Sequence, residues 1–335
     1  MDEQVSQANA VLISERTAEE SPPGHARRIE SLTEHYEMAG YSVEVIALQA
    51  GRGSKLQRAV RVVTARDVWA RASSADLAVV SGLGAPHMMV IARRLARRVR
   101  VVFDCCGSWT LQARARAAEG APRLPILAGA LIMRLPSRID SFSYIHERDV
   151  LADRHLLRKS AHVVPQRRVA ELAGLGQVEY PLARVVIPAD FTSFHNRVRA
   201  EDVLNRTARV ASRNANVRFE VYGRVPSDFT LPSRVEKMGW VADLTSLYSG
   251  STGVIVTNHA GSGLPNKLLE AIQANRPVVL HESFRFLSKD LPAHAYFFRA
   301  PAELEVAIQA MIDGRTPTKL SPDSSRFRVQ SSRTV

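Results

Sequence analysis

Cysteine is nearly absent: the 335 residues contain two, Cys105 and Cys106, side by side. Neighbouring residues rarely meet disulfide geometry, so neither a disulfide scaffold nor a cysteine metal site is indicated, and a reducing cytoplasm fits. No zinc-ligand spacing, helix-turn-helix signature or aromatic ribonucleoprotein motif occurs, and aromatic residues make up only 6% of the chain, which argues against a pure nucleic-acid module. Long apolar runs are also missing. The nearest, "LPILAGALIMRLP" from Leu124 to Pro136, is bounded by prolines and too short to span a bilayer. It reads first as a packed helix and second as a membrane contact. The start, "MDEQVSQANAVLISER", is acidic and polar where a secretory signal would be basic and then apolar. Gly82 and Gly84 form no G-x-G-x-x-G fingerprint, because Met88 and its neighbours follow, so a dinucleotide site gains little support. No solenoid-length repeat is present.

The residues that are there describe a globular protein, 45% hydrophobic and 23% charged, long enough for two domains. The balance is strongly basic, with a net charge of +12. Only six of its 45 basic residues are lysine. This balance favours anionic partners, whether nucleotide phosphates, nucleic acid or an acidic membrane face, although an arginine bias also follows from a GC-rich gene. The basic run "ARRLARRVR" (92–100) lies near the apolar segment and keeps a peripheral membrane role open.

Strand-like and helix-like pieces alternate along both halves. In the first, "AVLIS", "YSVEVIAL", "DLAVVS", "VRVVFDC", "IDSFSYI" and "AHVVP" read as strands with helices between them. The second restarts after the polar segment 166–181 with "ARVVIPADF", "VRFEVYG", "GVIVTN", "RPVVLH" and "AYFFR". Apolar strands alternating with helices predict parallel sheets covered on both faces. The expected fold is therefore α/β, with two doubly wound, Rossmann-like domains facing across a cleft: residues 1–165, a linker 166–181, and residues 182–314. The tail 315–335 is rich in turn formers and expected to be flexible.

One stretch is punctuated like a ligand site. "GSGLPNKLLEAIQANRPVV" follows the strand "GVIVTN" with a glycine turn that opens a helix. Glycine lets backbone approach a ligand, and the first turn of a helix favours phosphate. Lys267 can add charge there. Glu270, three residues on among Leu268, Leu269, Ala271 and Ile272, is costly to bury without a polar partner. The plainer alternative is a relaxed loop and a Lys267–Glu270 pair on a solvated face.

This stretch resembles the donor-site loop and helix of the group 1 glycosyltransferases, also called glycosyltransferase family 4, of the two-domain B-type fold. "ESPPGHARRIESLTEHYEMAGYSVEVIAL", "VVFDCCGSW", "SYIHERD", "RVVIPADF" and "FEVYGRVP" resemble further segments of the family in the expected order. The resemblance spans most of residues 10–314. It implies that Glu270 is similar to the acid that hydrogen-bonds the ribose of a nucleotide sugar, and that Gly261, Ser262 and Gly263 face the diphosphate or sugar. Ser262 stands where the family commonly has a second glutamate. The resemblance further implies a basic pair in place of an essential metal. Arg197, Arg224 and Lys267 are the candidates, Arg224 favoured for its position just after a strand and Gly223.

In the first half, Asp104 and His146 are the candidates for orienting or deprotonating an acceptor hydroxyl. The plainer roles of a cap or turn residue for Asp104 and a packed or capping histidine for His146 stay open. Gly24 would allow close approach of donor or acceptor. Family members have no firmly assigned protein nucleophile. The expectation is thus a glycosyltransferase, retaining and metal-independent, without cofactor. A nucleoside-diphosphate sugar is its co-substrate, and an acceptor hydroxyl on a glycan, a lipid-linked carrier or another molecule its partner, in envelope polysaccharide or glycoconjugate synthesis. It would be cytoplasmic, at the inner membrane face if peripheral. A protein- or nucleic-acid-directed transferase, a sugar-nucleotide epimerase and a non-catalytic binding protein remain alternatives.

Overall fold

The computed structural model describes residues 7–19, 23–48, 66–82, 86–118, 120, 123–167, 169–176, 183–192, 194–197, 199–241, 243–258, 264–287, 291 and 294–315. The chain divides into two compact units, Met1–Arg168 with Gly261–Asn266, and Val169–Ala260 with Lys267–Val335.

The first unit holds strands β1 (Ala8–Ser14), β2 (Tyr41–Ala47), β3 (Leu77–Ser81), β4 (Arg100–Cys106), β5 (Ser141–Tyr144) and β6 (Ser160–Val163). They form one parallel sheet in the order β2-β1-β3-β4-β5-β6. Its helices are α1 (Pro23–Met38), α2 (Arg66–Ser73), α3 (Pro86–Leu95), α4 (Trp109–Ala118), α5 (Leu124–Arg134) and α6 (Glu147–Asp153). Successive strand residues point to opposite faces, so each strand feeds two cores. Val11, Ile13, Val80, Val101 and Phe103 join Met88, Ile91, Leu95 and Trp109 on one side. Ala10, Leu12, Val79 and Val102 join Ile29, Leu32 and Tyr36 on the other. Burial on both faces is the reason β1, β3 and β4 read as unbroken apolar runs.

The second unit holds β7 (Ala183–Pro188), β8 (Val217–Tyr222), β9 (Val235–Gly239), β10 (Gly253–Ile255), β11 (Val278–His281) and β12 (Ala295–Phe298). Its order is β12-β11-β10-β7-β8-β9, again parallel throughout. Its helices are α7 (Phe194–Arg197), α8 (Ala200–Arg213), α9 (Leu244–Ser249), α10 (Asn266–Gln273) and α11 (Pro301–Ile312). On α8, Val203, Leu204, Thr207, Val210 and Ala211 recur at helical spacing and are buried, and they pack with Leu304 and Ile308 of α11. Numbered within the unit, the strands run 3-2-1-4-5-6, so the chain changes direction between β7 and β10. In open α/β sheets such a switch point, at the carboxyl ends of the strands, is where ligands bind.

The sequence reading assigned no element to α2 or β9. The β9 segment "VEKMG" exposes Glu236, Lys237 and Met238 at the sheet edge. An edge strand that carries charge to discourage further pairing has no apolar run to announce it. The expected flexible tail lies outside the described residues from 316 onward.

Candidate functional site

The second unit gathers polar side chains at the switch point. The chain leaving β7 carries Asp190 and then Asn196 on α7; the chain leaving β8 carries Gly223 and Arg224; the chain leaving β10 carries Thr257 and Asn258. Gly223 has φ 130°, and a Cβ there would meet the Ala189 carbonyl oxygen at 2.2 Å. Only glycine allows these two strand ends to run so close. The closeness is maintained by Ala189 N–H donating to the Tyr222 carbonyl (2.8 Å) and Phe191 N–H to that of Arg224 (2.8 Å), while Gly223 N–H reaches across to the carbonyl of Gly239 of β9 (2.8 Å). It also sets the Arg224 guanidinium against the Asp190 carboxylate, with Nε donating at 3.0 Å and Nη2 to the same oxygen. Burial would raise the Asp190 pKa, but hydrogen bonds from Thr192 and Arg224 hold it below the usual value.

From Asp190 the network runs to the helix the sequence singled out. Asn196 Nδ2 donates to the Asp190 carbonyl at 2.9 Å, and Lys267 Nζ donates to Asn196 Oδ1 at 2.8 Å. Desolvation pushes the half-buried Lys267 ammonium down to about 7, against the opposing pull of the Glu270 and Asp190 charges. One turn along α10, Glu270 is buried and accepts from the Tyr248 hydroxyl at 2.7 Å. The solvated lysine–glutamate pair considered from sequence is therefore not the arrangement: Lys267 reaches Asn196, and Glu270 meets a tyrosine of α9. Thr257 is fully buried, and its hydroxyl has no hydrogen-bond partner among the described residues. A lysine with a depressed pKa, a buried carboxylate and an unsatisfied hydroxyl at strand ends mark a functional site more than a packing core.

The remaining candidates are placed as follows. Gly261, Ser262 and Gly263 lie outside the described residues. Arg197 is exposed, pairs with Asp228 at 2.8 Å and lies over the Phe229 ring, 5.7 Å from its centroid. Gly24 is half-buried in the first turn of α1. Asp104 was expected at the open end of its strand, but β4 continues to Cys106 and Asp104 is fully buried within it. The period of two turns it toward α1, where Arg28 donates from Nε (3.1 Å) and Nη2, while Ser143 donates at 2.8 Å. An acceptor hydroxyl would have to displace these donors, so the structure gives Asp104 the part of holding Arg28. His146 is the N-cap of α6, its Nδ1 accepting from Arg148 N–H at 3.0 Å, which is the capping role that sequence had left open.

The sequence profile described as "Glycosyl transferases group 1" matches residues 185–312, from β7 to α11. This stretch of the chain matches the group 1 glycosyl transferases. Its match covers all of the switch-point residues named above.

Solved structures resemble nearly the whole chain. Anabaena HepE, crystallised in complex with UDP and glucose, has 13% identity and a TM-score of 0.64, covering 92% of this chain and 89% of that one. The lipopolysaccharide outer core galactosyltransferase WaaB has 13% identity and a TM-score of 0.59, with coverage of 91% and 90%. A Listeria monocytogenes protein described as a UDP-N-acetylglucosamine 2-epimerase has 8% identity and a TM-score of 0.57, covering 92% and 88%. At these identities the likeness is one of fold, and the fold is that of the B-type glycosyltransferases. No curated protein sequence matches this chain.

Proposed function

We propose that the glycosyl transferase domain binds a nucleoside-diphosphate sugar at the β7/β10 switch point, and that the protein transfers the sugar to an acceptor hydroxyl. The observation that carries this reading is the pair of side chains on α10. Glu270 is buried and already hydrogen-bonded by Tyr248, and so is a pre-oriented acceptor for ribose hydroxyls. Lys267 sits on the same helix face with its pKa lowered, as suits a cation that regains its proton beside phosphate. Arg224 Nη1 makes no hydrogen bond among the described residues, which leaves a donor for the diphosphate. In the transfer the acceptor hydroxyl gives its proton to the departing phosphate or to water, its oxygen bonds to the sugar's anomeric carbon, the bond from that carbon to the phosphate oxygen breaks, and the nucleoside diphosphate leaves. Side-chain cations at the diphosphate support a metal-independent route, and family resemblance supports retention of configuration. The basic charge of the chain suits an acceptor on an anionic, lipid-linked carrier for an envelope glycan, handled at a membrane surface from the cytoplasm.

The test is a thermal-shift panel of UDP-, GDP-, ADP- and dTDP-sugars without added metal. Stabilisation by sugars of one base is expected, growing with concentration as mass action requires. A flat response to all of them would defeat the reading, and turnover of donor with no acceptor present would favour the epimerase.

Lys267 makes donor binding pH-dependent. With a free-state value of about 7, the ammonium is charged below that pH and must take up a proton above it to meet phosphate. Affinity for a nucleotide sugar, whose diphosphate does not titrate in this range, is expected to be constant below pH 7 and to fall about ten-fold from pH 7 to 8.5. Calorimetry in buffers of different ionisation enthalpy should show proton uptake at pH 8. A flat affinity from pH 6 to 9 would mean Lys267 does not meet the diphosphate.

A further inference from the structure

We propose that the face of the first unit built by α5 and the C-terminal end of α3 docks onto an anionic phospholipid bilayer. This deepens the membrane-side part of the reading above and stands apart from donor chemistry, which belongs to the other unit.

Helix α5 is held by one side only. Ile126, Gly129 and Met133 face inward, and a Cβ on Gly129 would lie 1.7 Å from the ring of the fully buried Trp109, so the helix backbone rests directly on that indole. The opposite side presents Leu124, Leu127 and Leu131 at 79%, 48% and 63% exposure, followed by the exposed Leu135. Spacings of three and four residues put the four on one stripe. Val90 of α3 is exposed and lines, with Leu135, a groove of about 730 Å³. Arg93 ties the two helices together by donating to the carbonyls of Ile132 (3.2 Å), Leu135 (3.1 Å) and Pro136 (2.5 Å). The leucines are therefore displayed by a braced element.

Charge identifies the occupant. Residues 86–139 contain ten arginines and two acids, Asp104 and Glu119, and Asp104 is buried against Arg28. Arg97, Arg98, Arg123, Arg134 and Arg138 are exposed and carry no ion pair among the described residues. Apolar side chains flanked by unpaired arginines suit the boundary of headgroups and acyl chains, where leucines enter the apolar layer and guanidinium groups meet phosphate. A second copy of this face would bring two arginine sets together. A protein partner would need pockets matched to four leucines, which lipid tails accept without any. No helix among the described residues is long and apolar enough to cross a membrane, so the docking is interfacial.

The test is sedimentation of the full chain with phosphatidylcholine vesicles, with and without about a third phosphatidylglycerol. Partitioning onto the anionic vesicles is expected to exceed that onto neutral ones at least ten-fold and to weaken with salt. The Leu127→Ser/Leu131→Ser variant should lose about ten-fold or more of it. Arg134→Gln/Arg138→Gln should weaken it and flatten its salt dependence, and both variants should keep the wild-type thermal shift with nucleotide sugars. Equal partitioning onto both vesicles, none onto either, or a leucine variant that changes only oligomeric state or capture of an acidic protein would overturn the proposal. Vesicle binding that persists while no nucleotide sugar binds would instead sink the transfer reading and leave this one standing.

Discussion

Replacing Asp104 by alanine is expected to lower the free energy of unfolding by about 3–5 kcal/mol, the usual cost of stripping one partner from a buried ion pair. Arg28 and Asp104 are both essentially without solvent contact, and every strong donor around the carboxylate converges on it. Arg28 supplies two bonds, Ser143 one at 2.8 Å, Ser81 a longer one at 3.3 Å and Cys106 a thiol contact at 3.0 Å. The thiol arrives because the register of β4 with β5 shifts between Asp104 and Cys106, with Cys106 in the left-handed region at φ 58°. Removal of the carboxylate would leave a buried guanidinium without its counter-charge, with the neutral Val164 carbonyl at 2.5 Å still accepting from it. A double replacement, Arg28→Leu/Asp104→Leu, should recover much of the loss, because it removes the charge along with its partner. Burial alone would raise the Asp104 pKa, but the charge and hydrogen bonds of Arg28 hold it low. Its stabilisation is thus complete above the ordinary aspartate value and lost as the pH falls through the lower folded one. Chemical denaturation of the three proteins at neutral pH checks this. A single variant as stable as the parent would show that the pair contributes little.

Asp104 also shows where sequence reasoning ran out. The strands were legible because burial on both faces leaves an apolar run, and "VRVVFDC" is one of them. An acid near the end of such a run reads equally well as a residue at the sheet's open edge or as half of a buried pair. Its partner lies 76 residues upstream on α1, at a spacing no local pattern connects. The donor helix was legible for a different reason. A lone acid among leucines after a glycine turn breaks the apolar pattern, and the break is itself the signal. What supports that acid was hidden, since Tyr248 is 22 residues away on another helix and looks like an ordinary core tyrosine. Asp190 and Asn196 were within reach, because polar residues directly after the first strand of a unit fall at the switch point once the strand order is known. That order, with β7 central and β9 at the edge, is a property of sheet pairing and not of any segment.

Glu270→Ala is expected to reduce nucleotide-sugar affinity and kcat/KM by about 100-fold or more, because two ribose hydroxyls would lose a charged acceptor that is itself buried. The same change takes from the buried Tyr248 hydroxyl its short bond to the carboxylate and leaves the longer one to the Lys267 carbonyl at 3.5 Å, which should cost about 1 kcal/mol of stability. The two effects are separable. Tyr248→Phe removes the hydroxyl and loosens the carboxylate without removing it, so it should lower affinity only several-fold. Glu270→Gln keeps the shape and an acceptor oxygen but not the charge, and should fall between them. A nucleoside diphosphate lacking the sugar should lose as much affinity to Glu270→Ala as the intact donor does, since the ribose is common to both. If only the sugar-bearing ligand is affected, Glu270 reads the sugar, and the position taken for ribose on α10 has been misassigned. Unchanged affinity for both, in a variant shown to be folded by its cooperative melting, would move the donor site away from α10 altogether.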